Sequence, residues 1–156
     1  MCERADETAA GGEERVKEGR KVSYSCAQQV EIVMPRHVNA SYRLFGGQLM
    51  EWIDVVAGVV ARRHSGREVI TAAVEHLEFL APASINDIVV LQGRVSYVGR
   101  TSMEVCVETF VENSGGERKM VNCAYLTMVA LDQQGKPTEV PALICETEAE
   151  KDDFEA

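Results

Sequence analysis

Between Phe45 and His64 the chain reads FGGQLMEWIDVVAGVVARRH. Two glycines open a segment that is apolar on nearly every helical face from Leu49 to Ala61. A helix of that kind has little polar surface to offer water, so something must wrap it. Yet Asp54 stands in its middle, between Ile53 and Val55, with no cation beside it. Aspartate is almost never fully buried without a partner, because desolvating its charge costs several kcal/mol. Either Asp54 escapes to a polar seam, or the protein holds it there for chemistry. The segment closes on Arg62, Arg63 and His64, cations that suit the negative end of a helix dipole, with Gly66 as a left-handed stop.

Beyond Gly66 the hydrophobic period changes from 3.6 to 2. Val69–Leu80 predicts a strand ending at Pro82, and Ile88–Val98 a second, closed by a tight turn at Gly99-Arg100. Thr101–Glu112 alternates Met103, Val105 and Val107 with Glu104, Cys106 and Glu108. The cluster Asn113-Ser114-Gly115-Gly116 then turns the chain into a last strand, Glu117–Leu131. Ahead of the helix, Val22–Met34 predicts one more strand stopped by Pro35, and residues 35–45 a loop. One apolar helix and a curved antiparallel sheet have an economical solution: the sheet wraps the helix. A lone curled sheet leaves free edges and an open helix face, so two copies paired edge to edge are expected as the minimum unit.

The 156 residues read as one α+β domain over 22–145, with a frayed tail at 1–21 and an acidic tail at 146–156. Of the net charge of −9, the segment from Glu146 onward supplies six acids against Lys151 alone, so the acidity belongs mostly to the ends. That distribution argues against a nucleic-acid partner or an anionic membrane surface. The N-terminus lacks an apolar signal segment, and no run approaches a membrane span, so a cytoplasmic location is expected. The cysteines Cys2, Cys26, Cys106, Cys123 and Cys145 make no CxxC pair and no zinc spacing with His37, His64 or His76. They read as reduced thiols, and no metal site is expected. A Cys–His nucleophile from His37 with Cys26 or Cys106 has no support in the spacing, and His76 reads as a half-exposed strand residue.

Several motifs occur in a telling order: Asn39, then Phe45-Gly46-Gly47-x-Leu49-Met50-x-Trp52-x-Asp54-x2-Ala57-Gly58, then Arg63-His64-Ser65-Gly66. Thr71-Ala72-x-Val74, Phe79-x2-Pro82 and Val95-x-Tyr97-Val98-Gly99-Arg100-Thr101-Ser102-Met103-Glu104 follow. Together they resemble the hot-dog-fold acyl-CoA thioesterases, specifically the broad acyl-CoA hydrolase branch, over roughly Ser23 to Leu131. The resemblance implies a long central helix wrapped by a curved antiparallel sheet. It also implies hydrolysis of a CoA thioester to free acid and CoA, with no metal or redox cofactor. It carries Asn39 and Asp54 over as catalytic residues that meet across a dimer interface, and implies assembly to a homotetramer or homohexamer. The family loop has a glycine three residues after the asparagine, where this chain has Tyr42. If that position needs a positive φ, tyrosine should force another loop path.

The chemistry is consistent with these residues. Thioester hydrolysis needs an activated nucleophile and donors for the developing oxyanion. The helix N-terminus at Gly46-Gly47 offers unpaired N–H groups, each such donor typically worth about 10²–10³ in rate. Asp54, about 10 Å further along the helix, is a general base for water or a direct nucleophile forming an acyl anhydride. Asn39, with a donor and an acceptor, orients water or thioester. Thr71 is expected near the site. For the phosphates of CoA, Arg100 in its turn with Thr101 and Ser102 is the first candidate, and Arg62, Arg63 and His64 the second. Structural readings stand beside these: a seam-paired Asp54, a Gly46-Gly47 pair serving helix–sheet packing, and helix-capping cations. A dehydratase would want a positioned histidine that this helix lacks, whereas a non-catalytic acyl-CoA sensor remains an alternative.

Overall fold

The computed structural model describes residues 19–155; expectations for positions 1–18 lie outside them. In chain order come β1 (Arg20–Lys21), a helical turn α1 (Val22–Ser25), β2 (Ala27–Ile32) and a 3₁₀ turn (Pro35–His37). The long helix α2 (Gly46–Ser65) follows, then β3 (Glu68–Phe79), β4 (Ile88–Val98), β5 (Ser102–Glu112), β6 (Arg118–Leu131), β7 (Leu143–Ile144) and α3 (Glu148–Glu155). Five strands form one antiparallel sheet in the order β2-β4-β5-β6-β3. Register shifts at Thr71/Ala73 and Val74/His76 in β3 and at Val95/Tyr97 in β4 add local twist and help the sheet curl.

Helix α2 lies in the hollow of that sheet. Leu49, Trp52, Ile53, Val56, Ala57, Val60 and Ala61 pack on Val89, Leu91, Val95, Val105, Val107, Leu126 and Met128. The closest approach is at Gly93, where a Cβ would stand 2.6 Å from Val56 Cγ1 and 3.0 Å from Val60 Cγ2. Gly66 stops the helix in the left-handed region, φ 67°, its N–H donating to the Arg62 carbonyl.

Within one chain the wrapping is incomplete. Glu51, Asp54 and Val55 stay exposed. They flank the edge strand β3, which leaves Ile70, Val74, Leu77 and Phe79 largely uncovered, Phe79 at 54%. An edge with apolar side chains and free ladder groups is a pairing surface.

Three segments depart from the sequence reading. The strand expected over Val22–Met34 is broken: Val22–Ser25 turns helically before β2 begins. Val22 and Ser25 of that turn are buried, and just before it Arg20 and Lys21 form β1, pairing parallel with β7. Cys26 is disulfide-bonded, so the expectation of reduced thiols holds only for Cys106, Cys123 and Cys145 among the described residues. The acidic segment after Glu146 folds as α3 and docks on the outer face of the sheet. There Asp153 Oδ2 accepts from Arg94 Nε (3.1 Å) and Nη2 (2.8 Å), and Phe154 packs on Tyr97. Among the described residues, no helix is long and apolar enough to cross a membrane.

Candidate active site

Asp54 escapes to the open side of α2. There Thr71, on β3, donates from Oγ1 to Asp54 Oδ1 at 2.6 Å. This contact fixes one carboxylate oxygen and leaves Oδ2 free toward solvent. The helix supplies the carboxylate, and the edge strand supplies the hydroxyl that aims it.

Two turns earlier the helix begins at Phe45, whose side chain makes no capping bond. Phe45 O accepts from the N–H groups of Gln48 and Leu49, while the N–H groups of Gly46 and Gly47 have no place in the helical ladder. The glycines differ. A Cβ at Gly47 would lie 2.5 Å from the Phe45 ring, so packing alone explains a glycine there. At Gly46 a Cβ would meet only Phe79 Cζ at 3.9 Å, an ordinary contact, so packing does not explain the glycine. Around this helix end Tyr42, Phe45, Phe79 and Leu80 are all at least half exposed, an apolar rim beside free N–H donors.

Asn39 sits in the preceding loop. Its Oδ1 accepts from the N–H groups of Ser41 (2.9 Å) and Arg43 (3.3 Å), so the acceptor is committed to the loop and Nδ2 remains as the free donor. Tyr42 takes the left-handed conformation itself, φ 58°, its N–H donating to Asn39 O at 3.0 Å and its carbonyl accepting from Ile85. Tyrosine therefore does not force another loop path; it accepts the strain that glycine would avoid. No contact joins Asn39 or the Gly46-Gly47 end to Asp54 within this single chain.

The cation candidates separate. Arg63 donates from Nη1 to the Cys26 carbonyl at 2.9 Å, and its own carbonyl accepts from Arg20, so it stitches the N-terminal segment to the helix. His64 is fully buried, with Nε2 2.9 Å from Pro141 O, and burial chiefly, with help from the Arg20 charge, holds its pKa below the ordinary histidine value. Both side chains thus have structural partners within the chain. Arg62 and Arg100 are exposed. The backbone of the Gly99-Arg100-Thr101-Ser102 turn is pinned by Val140 N–H donating to Arg100 O, Ala130 N–H to Thr101 O and Gly99 N–H to Ser102 O. Arg67, which the sequence reading passed over, lies beside Arg62 just past the helix end.

The excluded nucleophile pair has a structural account too. Burial pushes the Cys106 thiol up to about 12, the opposite of activation. His37 is buried edge-on against Trp52 and holds the Met34 N–H with Nδ1. Among the described residues, no three His, Cys, Asp or Glu side chains gather to hold a metal.

A long central helix wrapped by a curled five-stranded antiparallel sheet is the hot-dog fold. Residues 43–117 match the family model of the thioesterase superfamily. The chain is 44% identical over 119 residues to the uncharacterized acyl-CoA thioester hydrolase YkhA of Bacillus subtilis, covering 76% of this chain and 69% of that one. The chain belongs to the thioesterase superfamily. It spans only 37% of the cytosolic acyl coenzyme A thioester hydrolase of Rattus norvegicus, to which it is 35% identical over 142 residues.

Among solved structures, an acyl-CoA hydrolase of Staphylococcus aureus in complex with butyryl coenzyme A and coenzyme A superposes with a TM-score of 0.85 at 35% identity, over 88% of this chain and 84% of that one. Three further structures of that enzyme carry single alanine replacements of an asparagine, an aspartate and a threonine. In their own numbering these stand fifteen and then seventeen residues apart. An apo-hexameric acyl-CoA thioesterase matches with a TM-score of 0.85 at 37% identity, over 88% of this chain and 89% of that one.

Proposed function

We propose that this protein hydrolyses acyl-CoA thioesters to the free acid and CoA, using Asp54 as the reacting carboxylate. The Thr71–Asp54 hydrogen bond carries the reading: a solvent-reachable carboxylate with one oxygen held and the other presented. Asn39, Asp54 and Thr71 are spaced by fifteen and seventeen residues, the separation of the three positions replaced in the Staphylococcus aureus enzyme, which supports assigning them to one site.

The site is complete in a homodimer. A second copy laid along β3 covers the exposed apolar edge and the open face of α2. It brings its own Asn39 loop and Gly46-Gly47 helix start to this chain's Asp54. The thioester oxygen then rests on helix N–H donors, and the Asn39 Nδ2 donor orients water or carbonyl. In the general-base route Asp54 takes a proton from water as the water oxygen bonds to the carbonyl carbon. The tetrahedral oxyanion collapses, the C–S bond breaks, and the thiolate leaves and is protonated. In the nucleophilic route a carboxylate oxygen attacks and releases CoA, and water then cleaves the anhydride. Each balances with water alone, so no metal or redox cofactor is invoked. Dimers of this kind would build a tetramer or hexamer, the latter being the state named for three structural neighbours.

The test is thiol release from acyl-CoAs of increasing chain length by wild type and Asp54→Asn, with the dimer checked by sizing. Turnover that falls about 10³-fold or more in the variant is expected. Acyl-CoA binding without turnover at any chain length would replace this reading with that of a sensor. A single turnover in isotope-labelled water separates the two routes, since label entering Asp54 itself requires the anhydride.

A further inference from the structure

The loop before α2 carries a cost that the chain's own fold does not return. Tyr42 takes φ 58°, in the left-handed region, at a position where the family resemblance leads to the expectation of glycine. For a residue with a Cβ that conformation weakens folding by roughly tenfold. The hydrogen bonds made there are backbone ones, Tyr42 N–H donating to Asn39 O at 3.0 Å and Ile85 N–H to Tyr42 O at 3.2 Å, and glycine would make both. The ring is 69% exposed, so it buries little against this chain. What position 42 contributes is therefore the ring itself, and its partner lies outside the chain. Strain retained in this way gathers at ligand contacts.

The place of the ring says which ligand. Tyr42 closes a turn on Asn39, so their Cα atoms stand within about 7 Å, and Asn39 borders the thioester in the proposed site. Phe45, Phe79 and Leu80 on the same rim are also at least half exposed. The two segments that carry the rim are tied together, Leu44 N–H donating to Ala83 O and Arg43 pairing with Ser84 in an antiparallel bridge. Apart from the phenol hydroxyl, these side chains are hydrocarbon. They offer nothing to the amides of a pantetheine arm, whereas an alkyl chain gains by leaving water there. A zigzag of C–C bonds of about 1.5 Å advances roughly 1.25 Å per carbon. A chain that starts at the thioester therefore comes beside the ring at about its fifth carbon.

We infer that Tyr42 determines acyl-chain specificity: its ring packs on the substrate's aliphatic chain from about the fifth carbon outward, so medium-length acyl groups are preferred to acetyl and butyryl. The inference rests on the thioesterase reading and adds a substrate class to it. Tyr42 touches no reacting atom, so its effect belongs to binding and grows with the length of chain it covers. Burying one methylene fully is worth roughly fourfold in affinity. A ring that covers one side of the chain supplies roughly twofold per carbon.

The experiment compares wild type, Tyr42→Gly and Tyr42→Phe on acetyl-, butyryl-, hexanoyl-, octanoyl- and decanoyl-CoA. Glycine accepts the left-handed backbone, so the Asn39 turn keeps its path and only the ring is lost; circular dichroism and sizing check fold and dimer. In Tyr42→Gly the loss of kcat/KM on decanoyl-CoA should exceed the loss on butyryl-CoA by about tenfold or more, through KM rather than kcat, while Tyr42→Phe follows wild type along the series. An equal loss at every length would assign the ring to the Asn39 turn instead and overturn the inference. So would no loss at any length, or a loss in Tyr42→Phe as large as in Tyr42→Gly. If wild type hydrolyses none of the series, the thioesterase reading fails by itself. Calorimetric titration of wild type and Tyr42→Gly with the same acyl-CoAs then decides the ring: a loss of affinity that grows with chain length upholds it, and a length-independent loss or no binding refutes it.

Discussion

His64 makes the stability of this protein depend on pH in a direction that its hydrogen bonds dictate. Nε2 lies 2.9 Å from the Pro141 carbonyl, which only accepts, so the neutral ring carries its proton on Nε2. Nδ1 is buried and has no partner among the described residues. Protonating it would bury a charge and an unpaired N–H together, near the positive Arg20. The folded pKa is therefore below that of the unfolded chain, about 6.5. Between the two values the unfolded chain binds the proton and the folded one does not. Stability is thus fully present above pH 6.5 and falls as the pH drops below it, by up to about 1.4 kcal/mol per pH unit. For a chain of this size that is about 3–6 °C in Tm per unit. Thermal unfolding of wild type and His64→Gln is compared from pH 7.5 to 5.5, at one protein concentration because an oligomer's stability depends on it. Glutamine can still donate to Pro141 but does not titrate. The wild-type curve should fall more steeply than the variant's below pH 6.5. Parallel curves would refute the reasoning.

Other positions give sharper local tests. Tyr42→Gly relieves a left-handed tyrosine worth about 1–2 kcal/mol of strain while adding about 0.4–1 kcal/mol of unfolded-state entropy. Because the ring is 69% exposed, a modest net gain in denaturant stability is expected, and a loss would show that the ring is covered. Gly93→Ala drives a methyl to 2.6 Å from Val56 and should cost about 1–3 kcal/mol, read by urea unfolding; a neutral result would mean α2 can lift from the sheet. Asp153→Ala leaves Arg94 with Glu108 alone, so amides of Glu148–Glu155 should exchange much faster in deuterium while the β5 and β6 amides hold. Unchanged exchange in α3 would leave the Phe154–Tyr97 contact as its anchor.

How much of this molecule was legible beforehand depended on how far each signal reached along the chain. The apolar run from Leu49 to Ala61, its left-handed stop at Gly66 and the alternation in β3 to β6 are local patterns. Periodicity and turn chemistry read such patterns directly, and the helix, the four later strands and their turns all form within a few residues of their expected bounds. The oddity of Asp54 was also local, and it pointed to the carboxylate that Thr71 holds. What tertiary structure decided came from partners far away in sequence. Arg63 and His64 read as helix-end cations, whereas the carbonyls they meet belong to Cys26, 37 residues back, and Pro141, 77 residues on. The expected strand over Val22–Met34 formed only as Ala27–Ile32, while Arg20 and Lys21 before it paired with β7, more than 120 residues on. The acidic end read only as a tail because its charge pattern is local, whereas Arg94, the cation that docks it, lies 59 residues away in the chain. Periodicity reports which face of an element is apolar. Which distant donor or carbonyl a polar side chain meets is settled only when folding brings the two together.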